Sequence, residues 1–415
     1  MDNMELEKGL VSIYGAEDAE KEKERYELYL EKFEKTFGKR DVSFFSAPGR
    51  SELGGNHTDH QHGKILAASI NLDAIAVAAP TDEDKIVIQS EGFPRDEIFL
   101  DDLTPHEDEI GTSKGIIRGM AANLFKMGYE IGGFYAYTHS NVLKGSGMSS
   151  SAAFEVLVGT IISGLYNDMK IDPVQVAIAA KLAENEYFGK PCGLMDQLAC
   201  SIGSLINVDF ENPDCPRIKP LKLDLKSSGY SLCIVDTKGS HADLTEDYAT
   251  VPAEMKAVAR ALGKKYLREV DERKFYERIS EVRKKAGDRA VLRAIHFFEE
   301  EKRVDREAAA IEDGDLQEFF NQVNRSGRSS FQYLQNVYSP SHPEAQGLSL
   351  GVALSDVILG DRGAFRIHGG GFAGTIQAYV PDDLVDIYRD SLEALFGEGS
   401  CHILTIREKG GTKVC

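Results

Sequence analysis

Hydrophobic positions recur along the chain with two different periods, which predict a mixture of helices and strands. Residues 16–38 are mostly charged, and their aromatic and leucine positions are three and four residues apart, which predicts an amphipathic helix. The charged stretch 252–327 is almost free of glycine and proline, so it predicts two or three solvated helices. Four more helices are predicted where apolar residues keep helical spacing, over 115–127, 149–166, 173–189 and 383–396.

Alternating or continuous apolar runs predict the strands. They cover 43–46, 65–79, a hairpin within 84–100, 204–208, 230–236, 363–368, 375–380 and 402–407. Strands and helices do not alternate as they do in βαβ units, so the pattern indicates an α+β fold. The chain has 415 residues, which favours two or three domain-sized units. The runs near 204–236 mark the crossing into a second half, so we expect two lobes, 1–225 and 226–415.

Charge and cysteine usage narrow the class of partner. The 48 basic and 67 acidic residues give a net charge of −19, which argues against nucleic acid and anionic membranes as partners. The six cysteines contain no CxxC pair and indicate free thiols. The chain opens on polar residues, and no apolar run approaches the roughly 18 residues of a membrane span. We therefore expect a cytoplasmic protein that acts on small molecules, as a monomer or weak homo-oligomer.

A loop of glycine and serine precedes one predicted helix. It consists of Gly145, Ser146, Gly147, Met148, Ser149, Ser150 and Ser151. Small residues let backbone N–H groups approach an anion, and a helix N-terminus favours negative charge. No Gly-Lys-Ser/Thr follows, so this is not a Walker A loop. Alone, such a loop is equally typical of a helix cap, but with other motifs it predicts a site for ATP phosphates.

Two further segments give the serine loop a context: 47–59 (APGRSELGGNHTD) and 366–374 (RIHGGGFAG). With the loop, they resemble the three ordered motifs of the galactokinase family, within the superfamily of galactose, homoserine, mevalonate and phosphomevalonate kinases (GHMP kinases). The resemblance runs from about 44 to 380. It implies a two-lobed fold of mixed and antiparallel sheets flanked by helices, with ATP and sugar in the cleft between the lobes. Gly370 and Gly371 would then lie beside the nucleotide phosphates.

The resemblance also implies the catalytic residues. The segment 183–197 (AENEYFGKPCGLMDQ) resembles the family stretch that carries a magnesium-binding glutamate and a catalytic aspartate, here Glu184 and Asp196. Asp196 would take the proton of the C1 hydroxyl, while Arg50 beside it would stabilise developing negative charge. Mg²⁺ prefers oxygen ligands, so Glu184 with the hydroxyl of Ser151, or of Ser150, would hold it.

The acceptor is implied by a third set of residues. By resemblance, Asn56, His57, Asp59, Gly193 and Tyr248 would contact the sugar, and carboxylates suit vicinal hydroxyls. Asn56 departs from the family, whose glutamate there contacts the 6-hydroxyl of the sugar. Galactose is the preferred acceptor, because an amide still bonds a hydroxyl. Galacturonate is the alternative, because Asn56 removes a negative charge near C6. N-acetylgalactosamine is a third possibility.

Two readings of other classes remain open. His57, Asp59, His60 and His62 stand within six residues and could form a transition-metal site, although neighbouring residues converge on one metal only if the backbone loops. A non-catalytic sensor that binds galactose and ATP is the other reading. Retention of Arg50, together with the acidic residues and the serine loop, argues against it.

Overall fold

The computed structural model describes residues 3–143, 147–239 and 244–415, and more of these residues lie in helices than in strands. The longer α-helices of the described part are α1 (Asn3–Phe37), α2 (Ser113–Lys126), α3 (Ser150–Tyr166), α4 (Pro173–Leu182), α5 (Met195–Ile202), α6 (Thr245–Ala261), α7 (Glu272–Glu277), α8 (Ile279–Ala286), α9 (Asp288–Asp313), α10 (Leu316–Ser329), α11 (Gly347–Leu359) and α12 (Val385–Phe396). Two π-helical turns, Ala183–Phe188 and Ser330–Leu334, continue α4 and α10.

Twelve strands form two sheets in the described part of the chain. They are β1 (Ser43–Gly54), β2 (Lys64–Pro80), β3 (Lys85–Ser90), β4 (Arg95–Phe99), β5 (Phe134–Ser140), β6 (Leu205–Asp209), β7 (Arg217–Leu221), β8 (Tyr230–Asp236), β9 (Ala364–His368), β10 (Thr375–Pro381), β11 (Cys401–Leu404) and β12 (Thr412–Lys413). The first sheet runs β12-β1-β2-β5-β3-β4, with β6 on β2 and β7 on β6. The second runs β11-β8-β10-β9. Among these twelve strands of the described residues, only β3 and β5 pair in parallel, so the α+β prediction is confirmed.

The first sheet carries most of the apolar core. Helix α3 packs on β1 and β2, and its buried residues interleave with Phe45, Ala47 and Ile70 in one cluster. Helix α1 covers part of the sheet through Tyr26 and Phe33. Burial of such side chains contributes roughly 1.5–3 kcal/mol each. The sheet is therefore a rigid base for the loops at its ends.

A buried ionic cluster joins both ends of the chain to this sheet. Asp73 of β2 accepts hydrogen bonds from Arg25 of α1 (2.8 Å) and from Arg407 near the C-terminus (2.9 Å). Ser46 and Tyr14 also donate to the same carboxylate. Burial alone would raise the pKa of Asp73, but the two guanidinium groups outweigh it and lower that pKa.

The predicted elements are largely present, with differences at specific glycines. Helix α1 begins at Asn3 rather than at 16, across a non-helical Gly15. The single helix predicted over 173–189 divides into α4 and the π-helical turn before Gly189, which has φ 81°. The prediction of two or three helices over 252–327 was wrong, because the stretch is divided among α6 to α10. Gly263, Gly287 and Gly314 interrupt it with positive φ, where helices commonly end.

Candidate active site

Strand β1 brings two charged side chains to one face of the first sheet. Arg50 and Glu52 are two residues apart and pair regularly with Ser69 and Ala67 of β2, so both point the same way. Both are almost fully buried, with 6% and 5% of their surface exposed. A buried charge requires a partner, and each of these two has one.

Arg50 is paired with Asp196, in the first turn of α5. Its Nε and a terminal nitrogen lie 2.9 and 2.8 Å from Asp196 Oδ1, and its other terminal nitrogen donates to the carbonyl of Gly147. Although burial lowers the pKa of Arg50, the charges of Asp196 and Glu52 raise it overall. Ser149 donates its hydroxyl to Asp196 Oδ2. One carboxylate thus joins β1, α5 and the serine loop.

The serine loop leads into the N-terminus of α3. Ser149 has a left-handed backbone (φ 55°), which is uncommon for a residue other than glycine, and Ser150 and Ser151 form the first turn of the helix. The N–H of Arg50 donates to the carbonyl of Met148 at 3.2 Å. Free N–H groups of a helix N-terminus suit an anion. The predicted phosphate residues Gly145 and Ser146 lie outside the described residues.

A cavity of about 250 Å³ opens beside the Arg50–Asp196 pair. It is lined by Arg50, Glu52, Asn56, His57, Asp59, His60, Cys192, Gly193, Met195, Asp196, Gln197, Gly369 and Gly370. Most of the predicted acceptor residues are among them. Tyr248 and Gly371 lie behind this lining: the Tyr248 hydroxyl donates to the Gly371 carbonyl at 2.7 Å. A Cβ on Gly370 would approach the Tyr248 ring to 2.6 Å, so the close contact requires glycine there.

Asp59 projects a carboxylate across the cavity towards Gly193, where an added Cβ would lie 2.8 Å from Asp59 Oδ2. Burial raises the pKa of Asp59 to about 6, with a smaller contribution from the charges of Glu52 and Asp196. Burial lowers the pKa of His57, whose Nε2 lies 3.0 Å from the Gly370 carbonyl. The same cause lowers the pKa of His60, so both imidazoles are neutral near pH 7. Asp59 is therefore flanked by neutral rings.

Asp59→Asn is expected to stabilise the ligand-free protein above pH 7 by about 1–3 kcal/mol, although it removes a carboxylate that lines the cavity. A folded-state pKa near 6, against 3.8 for an ordinary Asp, means that the ionised carboxylate opposes folding at high pH. The gain should shrink as the pH falls through 6 and disappear only below about 3.8, where wild-type Asp59 is mostly protonated in both states. Urea unfolding at pH 8 and pH 5 measures this difference. The exposed Asp214→Asn should shift stability by less than about 0.5 kcal/mol. A variant less stable than wild type at pH 8 would contradict the expectation.

The amide of Asn56 is engaged by the protein on both sides. Its Nδ2 donates to Glu52 Oε1 (3.2 Å) and to the Gly369 carbonyl (2.6 Å). Its Oδ1 accepts from Asn336 (3.2 Å) and Ser330 (3.5 Å). Asn56 lines the cavity, but its two N–H donors are already used.

A second acidic group lies beside the pocket. Glu184, in the first π-helical turn, accepts hydrogen bonds from Lys190 (2.9 Å) and from Gln197 Nε2 (3.0 Å). Gln197 Nε2 also bonds Glu155 of α3 at 3.1 Å. Burial, and then the charge of Glu184, raises the pKa of Glu155 to about 8. Glu155 Oε1 and Gln197 Oε1 are buried and have no hydrogen-bond partner among the described residues. This set of oxygen atoms fits a hard cation such as Mg²⁺.

Sequence reasoning did not single out Glu52, Glu155 or Gln197. A period of two along β1 could have found Glu52 from Arg50, and the helical spacing from Ser151 could have found Glu155. Arg366, at the start of the third motif, bonds Glu52 Oε1 at 2.7 Å. That partnership links positions 314 residues apart, so no local pattern predicts it.

The histidines of the first motif do not converge on one point. His57 Nδ1 faces His60 Nε2 at 3.2 Å, whereas the ring of His62 stacks on Tyr266 with centroids 3.7 Å apart. Within residues 3–143, 147–239 and 244–415, no group of three or more histidine, cysteine, aspartate or glutamate side chains is placed to hold a metal. In the same part of the chain, no helix is long and apolar enough to span a bilayer.

Two family models match the chain. The galactokinase galactose-binding signature matches residues 31–80, which contain Arg50 and Asp59. The N-terminal domain of GHMP kinases matches residues 115–204, which contain the serine loop and Asp196.

Solved structures show the same fold. Galactokinase of Lactococcus lactis, complexed with galactose, is 26% identical with a TM-score of 0.80, covering 94% of this chain and 99% of its own. Mevalonate kinase of Methanococcus jannaschii is 14% identical with a TM-score of 0.64, over 88% of this chain and 98% of its own. Phosphomevalonate kinase of Streptococcus pneumoniae, in complex with phosphomevalonate and AMPPNP, is 13% identical with a TM-score of 0.60, over 88% and 99%. The last two likenesses concern the fold alone.

Proposed function

This chain belongs to the GHMP kinase family and carries the galactose-binding signature of its galactokinases, and from this premise we propose that it phosphorylates the C1 hydroxyl of galactose. ATP is the co-substrate of GHMP kinases. The observation that carries the proposal is the Arg50–Asp196 salt bridge at the wall of the cavity, because a serine of the phosphate loop bonds the same carboxylate. Acceptor and phosphoryl donor would thus meet at Asp196.

The reaction assigns one role to each of these groups. The oxygen of the C1 hydroxyl forms a bond to the γ-phosphorus, the bond between that phosphorus and the bridging oxygen of ADP breaks, and Asp196 takes the hydroxyl proton. Asp196 Oδ2 accepts one hydrogen bond from Ser149, so a lone pair remains for the acceptor. Arg50, which holds Oδ1, orients the carboxylate and faces the developing negative charge.

The same part of the structure supports proposed sites for the sugar and the cation. Asp59, with Gly193 opposite, is proposed to accept hydrogen bonds from vicinal ring hydroxyls, while His57 borders them. Glu184 and Ser151 are the proposed protein ligands of Mg²⁺, which when bound would neutralise phosphate charge. We also propose that the chain divides into a lobe over 1–225 and a lobe over 226–415. We propose a cytoplasmic location as well, which is in keeping with the free thiols.

An acceptor screen tests this function. Purified protein with ATP and Mg²⁺ is offered galactose, galacturonate, N-acetylgalactosamine, glucose and arabinose, and ADP release is measured. Galactose should have the highest kcat/KM, and its product should have lost the reducing end because C1 is phosphorylated. A tenfold preference for galacturonate, about 1.4 kcal/mol in transition-state binding, would overturn the choice of acceptor. Binding of galactose and ATP without turnover would instead favour the sensor.

A further inference from the structure

Glu52 combines a fixed position with a carboxylate oxygen open to the cavity. Its Oε1 accepts from Arg366 at 2.7 Å and from Asn56 at 3.2 Å, and Arg366 also bonds the Glu52 carbonyl at 3.0 Å. Its Oε2 has no hydrogen-bond partner among the described residues. This oxygen is not completely buried. Because Glu52 lines the cavity, Oε2 is available to a bound molecule.

The distance between Glu52 and Arg50 indicates which part of a bound sugar Glu52 would contact. Two residues along a strand are separated by roughly 7 Å. Arg50 binds Asp196, which is the proposed base for the C1 hydroxyl. Glu52 therefore lies about the length of a sugar ring away from the transferred phosphoryl group. Asp59 is the proposed partner of the ring hydroxyls, which leaves the exocyclic C6 substituent for Glu52.

The charge of the cavity also discriminates between acceptors. The charged side chains that line it are the positive Arg50 and the negative Glu52, Asp59 and Asp196. His57 and His60 also line the cavity, but their imidazoles are neutral. Arg366 balances Glu52, but it also lies 3.8 Å from Glu300. A carboxylate on C6 would add a further negative charge next to Glu52, whereas a hydroxyl would donate a hydrogen bond to it.

We propose that Glu52, and not Asn56, selects the acceptor at C6: its free oxygen accepts a hydrogen bond from a neutral hydroxyl and excludes an anionic carboxylate. This inference rests on the proposed function. Asn56 is a positioning residue in this account, because its amide holds Glu52 and the Gly369 carbonyl in place. The pocket therefore keeps a carboxylate for C6 although position 56 is an amide.

Calorimetric titration without ATP tests the proposal on wild-type protein. Galactose, 6-deoxygalactose and galacturonate are compared as ligands. Replacing the C6 hydroxyl with hydrogen leaves a charged oxygen without its donor, so 6-deoxygalactose should bind at least tenfold more weakly. Galacturonate should bind more weakly still. Equal affinities for galactose and 6-deoxygalactose would overturn the role of Glu52, while phosphorylation of galactose would leave the proposed function standing.

The Glu52→Gln variant provides the second measurement. The substitution keeps the size of the side chain and removes its charge. The ratio of the affinity for galactose to the affinity for galacturonate should therefore fall at least tenfold. Glu300→Gln is the matched control, because it removes another buried carboxylate near Arg366 that does not line the cavity. Glu300 Oε1 accepts from the Asn56 N–H at 3.3 Å, a bond that the amide oxygen of Gln can keep. Its sugar preference should stay that of wild type. If Glu300→Gln narrows the preference as much as Glu52→Gln does, the effect belongs to the whole ionic cluster and the proposal fails.

Discussion

Asp196→Asn is expected to lower the rate of phosphoryl transfer by about 10²–10⁴-fold while the fold stays intact. The amide has the shape of the carboxylate, but it cannot take the proton of the acceptor hydroxyl. It also leaves the Arg50 guanidinium without its ionic partner at 2.8–2.9 Å. The side chain of Asp196 is 32% exposed, so the substitution does not bury an unpaired group deeply.

Two measurements separate the chemical step from binding: the single-turnover rate of phosphoryl transfer from ATP to galactose, and the affinity for galactose by calorimetry. In Asp196→Asn, the affinity for galactose should change much less than the rate of phosphoryl transfer. The exposed Asp168→Asn, whose carboxylate pairs with Lys170 at the surface, is the matched control and should keep wild-type turnover. Turnover of Asp196→Asn within about threefold of wild type would show that Asp196 is not the base.

Arg407→Met is expected to destabilise the protein by about 3–5 kcal/mol, since it breaks a buried ion pair and leaves the other partner in place. Arg407 is 1% exposed and lies 2.9 Å from Asp73, which is fully buried. The same guanidinium donates to the carbonyls of Lys409 (2.7 Å) and Gly410 (3.2 Å), so the loss also frees the segment that leads into β12.

Urea unfolding measures this loss, and hydrogen exchange locates it. The amide of Val414, which donates to the Phe44 carbonyl, should exchange faster in the variant. Arg389→Met is the control: its guanidinium pairs at the surface with Asp386 and Asp390, and such pairs contribute at most about 1 kcal/mol. A loss below about 1 kcal/mol for Arg407→Met would mean that Arg25 alone satisfies Asp73.

Local patterns were sufficient for most elements but failed where burial depends on neighbours. Strand β5 was missed although Phe134, Ala136 and Thr138 alternate as buried residues, and it lies between β2 and β3. Helix α11 was missed because it contains Gly347 and Gly351, which are poor helix formers. Gly351 packs closely on the second sheet, since a Cβ there would lie 3.0 Å from the terminal methyl of Ile376. Strand β12 has two residues, and only its pairing with β1 makes it a strand.

The sequence by itself determined the resemblance to the galactokinase family, the α+β class and the residues of the short motifs. These depend on neighbouring residues: a small-residue loop that opens a helix, and an arginine within a buried strand. Asp196 was recognised in the same way from the segment around it, and the structure places it within 3 Å of Arg50.

Only the tertiary structure decided how the carboxylates of the pocket are distributed. Asn56 marked a departure in the sequence, but its partners Gly369 and Asn336 come from residues 313 and 280 positions away. Glu52 is held by Arg366 across 314 positions. Hydrogen bonds and ion pairs in a buried site depend on distances in space, which chain separation does not encode. For this reason the motif identified the site, while the packing of distant strands and helices around it determined which oxygen remains free for the acceptor.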